Sequence, residues 1–288
     1  MLKRILGKTG FEIFPVVYGG IVSMRDGQDA SDTSVSWAIE RGINYFDVAP
    51  TYEDAEEKLG NSLRPYRKNI FVACKTRHRM KTDAEQELHR SLSLLHTDHF
   101  DVYQLHAITT QEDIDQAFGP NGAMELLVKA KQEGKVRSLG ITAHSEAMAM
   151  KAISLYEFDT IMYPTNYLMH MRNEMGTSVC AEAKKQGMGI LSIKSLVHRR
   201  WKDENEKNSS RFPKSWVKPI DVQNKAFAIA ALKYSLHMGA DAIIPPGDFK
   251  NFSFTVDVIR EVIETPLQEE EMKLLKEEFS LVKDFPFF

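Results

Sequence analysis

Residues 70–105 read IFVACKTRHRMKTDAEQELHRSLSLLHTDHFDVYQL. Ile70 to Lys75 is a short run of apolar and β-branched residues, the pattern of a buried strand. Thr82 followed by Glu85 predicts a capping box, after which Leu88, Leu92 and Leu95 recur at helical spacing. Asp101 to Leu105 is again strand-like. Strand, helix and strand in this order form a unit whose two strands lie parallel, because only a helical crossover joins them.

The same rhythm runs outward in both directions. Further strands are predicted at Pro15 to Tyr18, Ile43 to Val48, Val136 to Ile141, Thr160 to Tyr163, Gly189 to Ile193 and Ala242 to Ile244. With the two above they make eight, the number that closes a parallel sheet. The fold class expected is α/β, a (β/α)8 TIM barrel, with residues 1–288 as a single domain. Near the end, Thr265 and Gln268 predict a second capping box with Pro266 in the first helical position, followed by Met272, Leu275 and Phe279. One stretch breaks the pattern. Leu196 to Asp221, a long loop at about 196–221, carries Arg199, Arg200, Lys202, Lys207, Arg211 and Lys214 and reads either as a solvated insertion or as a loop that closes over a ligand.

Composition narrows the function. The chain is 43% hydrophobic with a net charge of -3, and its basic residues alternate with acidic ones, so no footprint for nucleic acid stands out. A small-molecule partner is expected. No run approaches the length of a membrane span, and the stretch after Met1-Leu2-Lys3-Arg4 meets Glu12 and Pro15 instead of an apolar export segment. The cysteines are two, Cys74 and Cys180, too few for a disulfide scaffold or a four-thiolate metal site, and the expected compartment is the cytoplasm. No metal is expected, since His96 and His99 lack a third ligand and read as solvent-exposed. Cys74 should point toward the helices as a buried small hydrophobe. Oligomeric state and the natural substrate are not written in these patterns.

In a parallel barrel, chemistry belongs to the C-terminal ends of strands and the loops that follow. Asp47 ends the second strand, Tyr52 follows five residues later, Lys75 ends the third strand and His106 the fourth. Singly each has an ordinary explanation: a helix cap, a packed phenol, a structural imidazole. Together they suit carbonyl reduction, in which the alkoxide left by hydride addition must be protonated. A phenol with a pKa of about 10 is a reluctant acid. Lys75 would favour the tyrosinate, Asp47 would hold the ammonium, and His106 could donate a hydrogen bond to the substrate oxygen.

The order Asp47-Val48-Ala49-Pro50-Thr51-Tyr52, then Lys75, then His106 resembles the catalytic tetrad of the aldo-keto reductases. Arg4 to Gly10, Leu95 to Tyr103, Glu133 to Ile141 and Gln186 to Ile190 resemble landmarks of that family in the same order. The resemblance implies an oxidoreductase that uses NADP or NAD, with NADP favoured, on a small carbonyl compound. Tyr52 would be the general acid. It further implies that Thr142, Asn166, Ile193, Lys194, Gly247 and Lys250 bind the cofactor. His144 and His170, which follow strands, would line the substrate pocket. The chain departs from the family where the nicotinamide amide is held: Ala143 and Met162 replace hydrogen-bonding residues, and Ile193 replaces a stacking aromatic. Those departures leave open an alternative, a cofactor-binding sensor or regulatory subunit with vestigial reductase activity. Asp248 would repel a second cofactor phosphate. Gly187-Met188-Gly189 is a turn into the seventh strand and not a dinucleotide fingerprint.

Overall fold

A computed structural model describes residues 2–283. Its central strands are β1 (Tyr18–Gly19), β2 (Tyr45–Asp47), β3 (Phe71–Thr76), β4 (Phe100–Ile108), β5 (Val136–Ala143), β6 (Thr160–Tyr163), β7 (Gly189–Ile193) and β8 (Ala242–Ile244). Each pairs in parallel with the next, and Val16 bridges Ile243 to close the ring. The expected eightfold barrel is the fold. Its first strand differs from expectation: regular pairing begins at Tyr18, and the Pro15 to Val17 segment joins β8 through the Val17 N–H on the Ile243 carbonyl and the Ile243 N–H on Pro15, at 2.9 and 3.0 Å. Proline has no N–H to give, so the seam is a bridge and not a ladder.

The strands share one device at the floor of the barrel. The side chain of a residue at or just before each even strand accepts the backbone N–H of the odd strand or segment before it. Asn44 takes the N–H of Phe14, Asp101 that of Val72, Asp159 that of Leu139 and Asp241 that of Ile190, each at 2.8 Å. These bonds satisfy amides at the start of each strand pair, where no further ladder partner exists. Asp101, fully buried, also pairs with Arg67 and Arg137 at 3.1 and 2.8 Å.

Alternation along the strands sorts the side chains into two cores. Inside the ring, Val17, Tyr45, Ala73, Val102, Leu191 and Ala242 stack above Leu6 and Ile13, which come from a small hairpin of Arg4–Ile5 with Glu12–Ile13. Gly189 has no side chain because a Cβ there would lie 2.6 Å from Leu6, so the turn before β7 and this plug fit only as a pair. Cys74 falls in the outer core with Leu88, between strand and helix as expected.

The helices are α1 (Gln28–Glu40), α2 (Ala55–Leu63), α3 (Lys81–Leu94), α4 (Gln111–Phe118), α5 (Ala123–Gln132), α6 (Glu146–Leu155), α7 (Tyr167–Asn173), α8 (Thr177–Lys185), α9 (Glu204–Asn208), α10 (Lys225–His237), α11 (Phe249–Glu264) and α12 (Glu269–Leu281). Two helix starts differ from the sequence reading. The α3 cap is Met80, not Thr82, because a bridge from Met80 to Gly122 and a bond from the Lys81 N–H to the Asn121 carbonyl fix the entry of the chain. Thr265 closes α11 through its hydroxyl on the Glu261 carbonyl, so the α12 capping box moves to Gln268 and Glu271. Among the described residues no helix is long and apolar enough to cross a membrane, and no cluster of three metal-ligating side chains occurs. His96 is exposed, whereas His99 is only partly so and bonds Asp98.

Candidate active site

The register of the barrel brings Asp47, Lys75 and His106 to its C-terminal mouth. Asp47 lies beside Ala73 and Lys75 beside Gln104, two residues before His106 on β4. Lys75 is fully buried and donates to Asp47 Oδ2 at 2.5 Å and to the Val48 carbonyl at 3.1 Å. Tyr52 is carried by a short turn between β2 and α2, with its N–H on the Ala49 carbonyl and its own carbonyl accepting from Ala55, both at 2.9 Å. Its ring centroid lies 5.4 Å from Lys75 Nζ and 6.1 Å from the His106 ring, which stands perpendicular to it.

Burial and charge compete at these groups. Burial opposes the Lys75 ammonium, but Asp47 and Tyr52 outweigh it and hold the lysine above its ordinary pKa. For Tyr52, burial is the larger influence and pushes the phenol up, while Lys75 pulls it down only in part. The net direction is upward, against the sequence expectation, so Tyr52 is a protonated phenol at neutral pH. His106 is held neutral, far below the usual imidazole range, first by burial and then by Lys75 and Arg77. Its buried Nδ1 and the buried Asp47 Oδ1 have no hydrogen-bond partner among the described residues.

A cavity of about 430 Å³ opens above this group. Tyr52, His106 and Asp47 line it, with Arg77 and Ala107. Thr142, His144, Met162, Ile193, Lys194 and Gly247 line it as well. Ser215, Trp216 and Val217 border it from the 196–221 segment, which therefore reaches over the mouth. That segment contains a two-stranded ribbon (Val197–Arg199 with Lys218–Pro219) and α9. Lys214 seats it, donating to the Val22 carbonyl at 3.0 Å and pairing with Asp26 at 2.6 Å, while Trp201 donates to the Ser215 carbonyl at 2.9 Å.

The other sequence-predicted residues divide. Thr142 accepts the Ala107 N–H at 2.7 Å, bracing a backbone held at a φ of 55° right after His106, and keeps its own proton to donate. Lys194 also has a positive φ, 61°, and its Nζ lies 3.3 Å from His144 Nδ1. Burial lowers Lys194 to about 7; burial and then Lys194 lower His144 to about 3. Gly247 lets the loop close onto Ile21, whose Cγ2 would be 2.1 Å from a Cβ. Asn166, Lys250 and His170 do not border the cavity. Asn166 caps α7 by accepting the Met169 N–H at 3.0 Å, leaving its buried Nδ2 unpartnered, and Lys250 is exposed in the first turn of α11. His170 is turned by α7 toward α10, where its Nδ1 bonds the Tyr234 hydroxyl at 2.5 Å, so the expectation that it lines the pocket is not met. Asp248 caps α11 through the Asn251 N–H at 2.9 Å, and burial raises its carboxyl to about 6.

Sequence reasoning missed Arg79, which braces the site from outside. It donates to the His106 and Ala107 carbonyls at 2.8 and 3.1 Å and pairs with Asp113 at 2.8 Å. Its bonds tie the loop after β3 to the end of β4. No sequence spacing announces such a contact.

The chain matches the model of the aldo/keto reductase family over residues 22–276. The uncharacterized oxidoreductase YqkF of Bacillus subtilis is 31% identical over 157 residues, 50% of this chain and 49% of that protein. L-galactose dehydrogenase of Arabidopsis thaliana is 32% identical over 210 residues, 67% of this chain and 65% of that protein. The chain thus spans about half to two thirds of these curated relatives. An aldo-keto reductase from Bacillus halodurans, solved in a holo form, superposes with a TM-score of 0.71 at 20% identity, covering 96% of both chains.

Proposed function

We propose that this chain, which belongs to the aldo/keto reductase family, reduces an aldehyde or ketone to the alcohol with a nicotinamide cofactor, Tyr52 acting as the general acid. The observation that carries this reading is the meeting of Tyr52 and neutral His106 over the buried Lys75–Asp47 pair at an open cavity.

The cavity fits one flat ring and a small substrate. Ile193, Met162 and Ile244 offer an apolar wall, Thr142 has a free hydroxyl proton, and Lys194 stands where a phosphate could draw its charge back. These residues, with the Gly247 loop, would hold the nicotinamide end. A bound reduced nicotinamide would supply the hydride with its two electrons. As that hydride joins the carbonyl carbon, the π pair moves onto oxygen. Tyr52 gives its hydroxyl proton to that oxygen, and Lys75 stabilises the phenolate left behind. Asp47 keeps the ammonium charged and in place. His106, being neutral, can donate one ring N–H to the substrate oxygen and orient it without competing as an acid.

Support for turnover over mere binding comes from the intact set of Asp47, Tyr52, Lys75 and His106. A carbonyl panel with NADPH and NADH, run on wild type and Tyr52→Phe, tests the reading. Wild-type consumption of cofactor that falls at least a hundredfold in the variant is expected. Tight cofactor binding with no reduction of any carbonyl would overturn it in favour of a sensor.

A further inference from the structure

We propose that Arg77 selects carbonyl substrates that carry a carboxylate, so that the substrate class is an oxo acid or aldehyde acid; this rests on the reductase reading above. Arg77 is the first residue beyond β3, two positions after Lys75, and strand alternation returns its side chain to the same side of the chain as Lys75. It lines the cavity beside Tyr52, His106 and Ala107 and is exposed.

Its neighbour Arg79 is consumed by Asp113 and two carbonyls, whereas Arg77 has no hydrogen bond or ion pair among the described residues. Asp47 is the only carboxylate lining the cavity among those residues, and Lys75 already neutralises it at 2.5 Å. The acidic residues that follow Tyr52 are satisfied elsewhere: Glu53 pairs with Arg25, and Asp54 with Lys58. An unmatched guanidinium therefore lines the same cavity as Tyr52 and His106, beside an apolar lining that includes Ile21, Trp216 and Val217.

A planar guanidinium, even one open to solvent, favours a carboxylate through paired N–H donors, and the apolar part of the lining favours the carbon frame between carboxylate and carbonyl. Lys194 lies 3.3 Å from His144 and is given to the cofactor in the reading above, which leaves Arg77 for the substrate. Because Lys75 is held by Asp47, Arg77 is the cation left to orient the substrate, placing its neutral carbonyl end at Tyr52.

The test compares 4-carboxybenzaldehyde with its methyl ester in kcat/KM. Wild type is expected to prefer the acid at least tenfold, mainly through KM. Arg77→Gln should reduce that preference at least tenfold, Arg77→Lys should restore part of it, and 0.5 M salt should shrink it in wild type. A wild-type enzyme that prefers the ester, or an acid-to-ester ratio unchanged in Arg77→Gln, overturns the proposal. Should no aldehyde be reduced, calorimetric titration with 4-(hydroxymethyl)benzoate separates the two readings. Binding that Arg77→Gln weakens tenfold keeps the carboxylate site while the reductase reading fails. Absence of binding by wild type removes the site itself.

Discussion

Replacing Lys75 by methionine removes a buried ammonium and leaves its partner in place. Asp47 is 2% exposed, Lys75 is 0% exposed, and no other cation pairs with Asp47 among the described residues. The variant has two options. It can keep a bare carboxylate in the barrel, which costs about 3–5 kcal/mol, or it can protonate Asp47 on folding. From an unfolded pKa of 3.8, protonation at pH 7 costs about 1.36 × 3.2, or roughly 4.4 kcal/mol. The loss at pH 7 should thus be about 4 kcal/mol. The sign of its pH dependence follows from the proton count. The folded variant takes up a proton that the unfolded chain lacks, so its stability rises as the pH falls from 7 toward 4, by up to about 1.4 kcal/mol per pH unit relative to wild type. Urea unfolding of both proteins at pH 7 and pH 5 measures the difference. Combining Lys75→Met with Asp47→Asn should recover part of the loss, because no ionisable group then remains to be neutralised. A loss below about 1 kcal/mol at pH 7 would refute the reasoning, while a loss equal at both pH values would show that the bare carboxylate is kept.

Tyr52→Phe should cut kcat by at least about a hundredfold on any carbonyl accepted, with cofactor affinity changed less than threefold by fluorescence titration. Because burial raises the phenol above its ordinary value, wild-type reduction should show no loss of Tyr52 proton donation between pH 6 and 9; a fall with an apparent pKa near 8 that Tyr52→Phe abolishes would contradict this. Lys194, lowered to about 7, should bind the cofactor more weakly as pH rises from 6 to 8, and Lys194→Met should remove that dependence in a binding assay. His144 titrates near 3 when folded and at an ordinary 6.5 when unfolded. Its neutral burial is therefore fully favourable above pH 6.5 and is lost as the pH falls toward 3, so His144→Gln should flatten the acid side of the stability profile in urea melts.

What could be read from the chain was what lies close along it. Asp47, Lys75 and His106 end strands whose apolar runs and alternation are local signals, and the eightfold rhythm fixes which end of the barrel they reach. The roof was not readable in that way. Leu196 to Asp221 has no steady period, and its seat over the mouth depends on Lys214 reaching Val22, 192 residues away in sequence. Arg79 escaped notice for the same reason, since Asp113 is 34 positions distant. The direction of the Tyr52 shift needed three dimensions as well: the sequence supplies the nearby cation, but only packing tells how much solvent is lost. His170 followed a strand as a pocket residue would, yet the helix beginning at Tyr167 carried it to Tyr234.

Asn44, Asp101, Asp159 and Asp241 hoop the barrel at one rim, as a cooper binds staves two by two. The opposite rim is tied more loosely, by Thr142 on the Ala107 N–H and by Arg79, and it holds the reactive side chains. Drift in the loops of the open rim can thus retune what is accepted without slackening the cask, while damage to a hoop would cost rigidity and leave the chemistry's own alphabet intact.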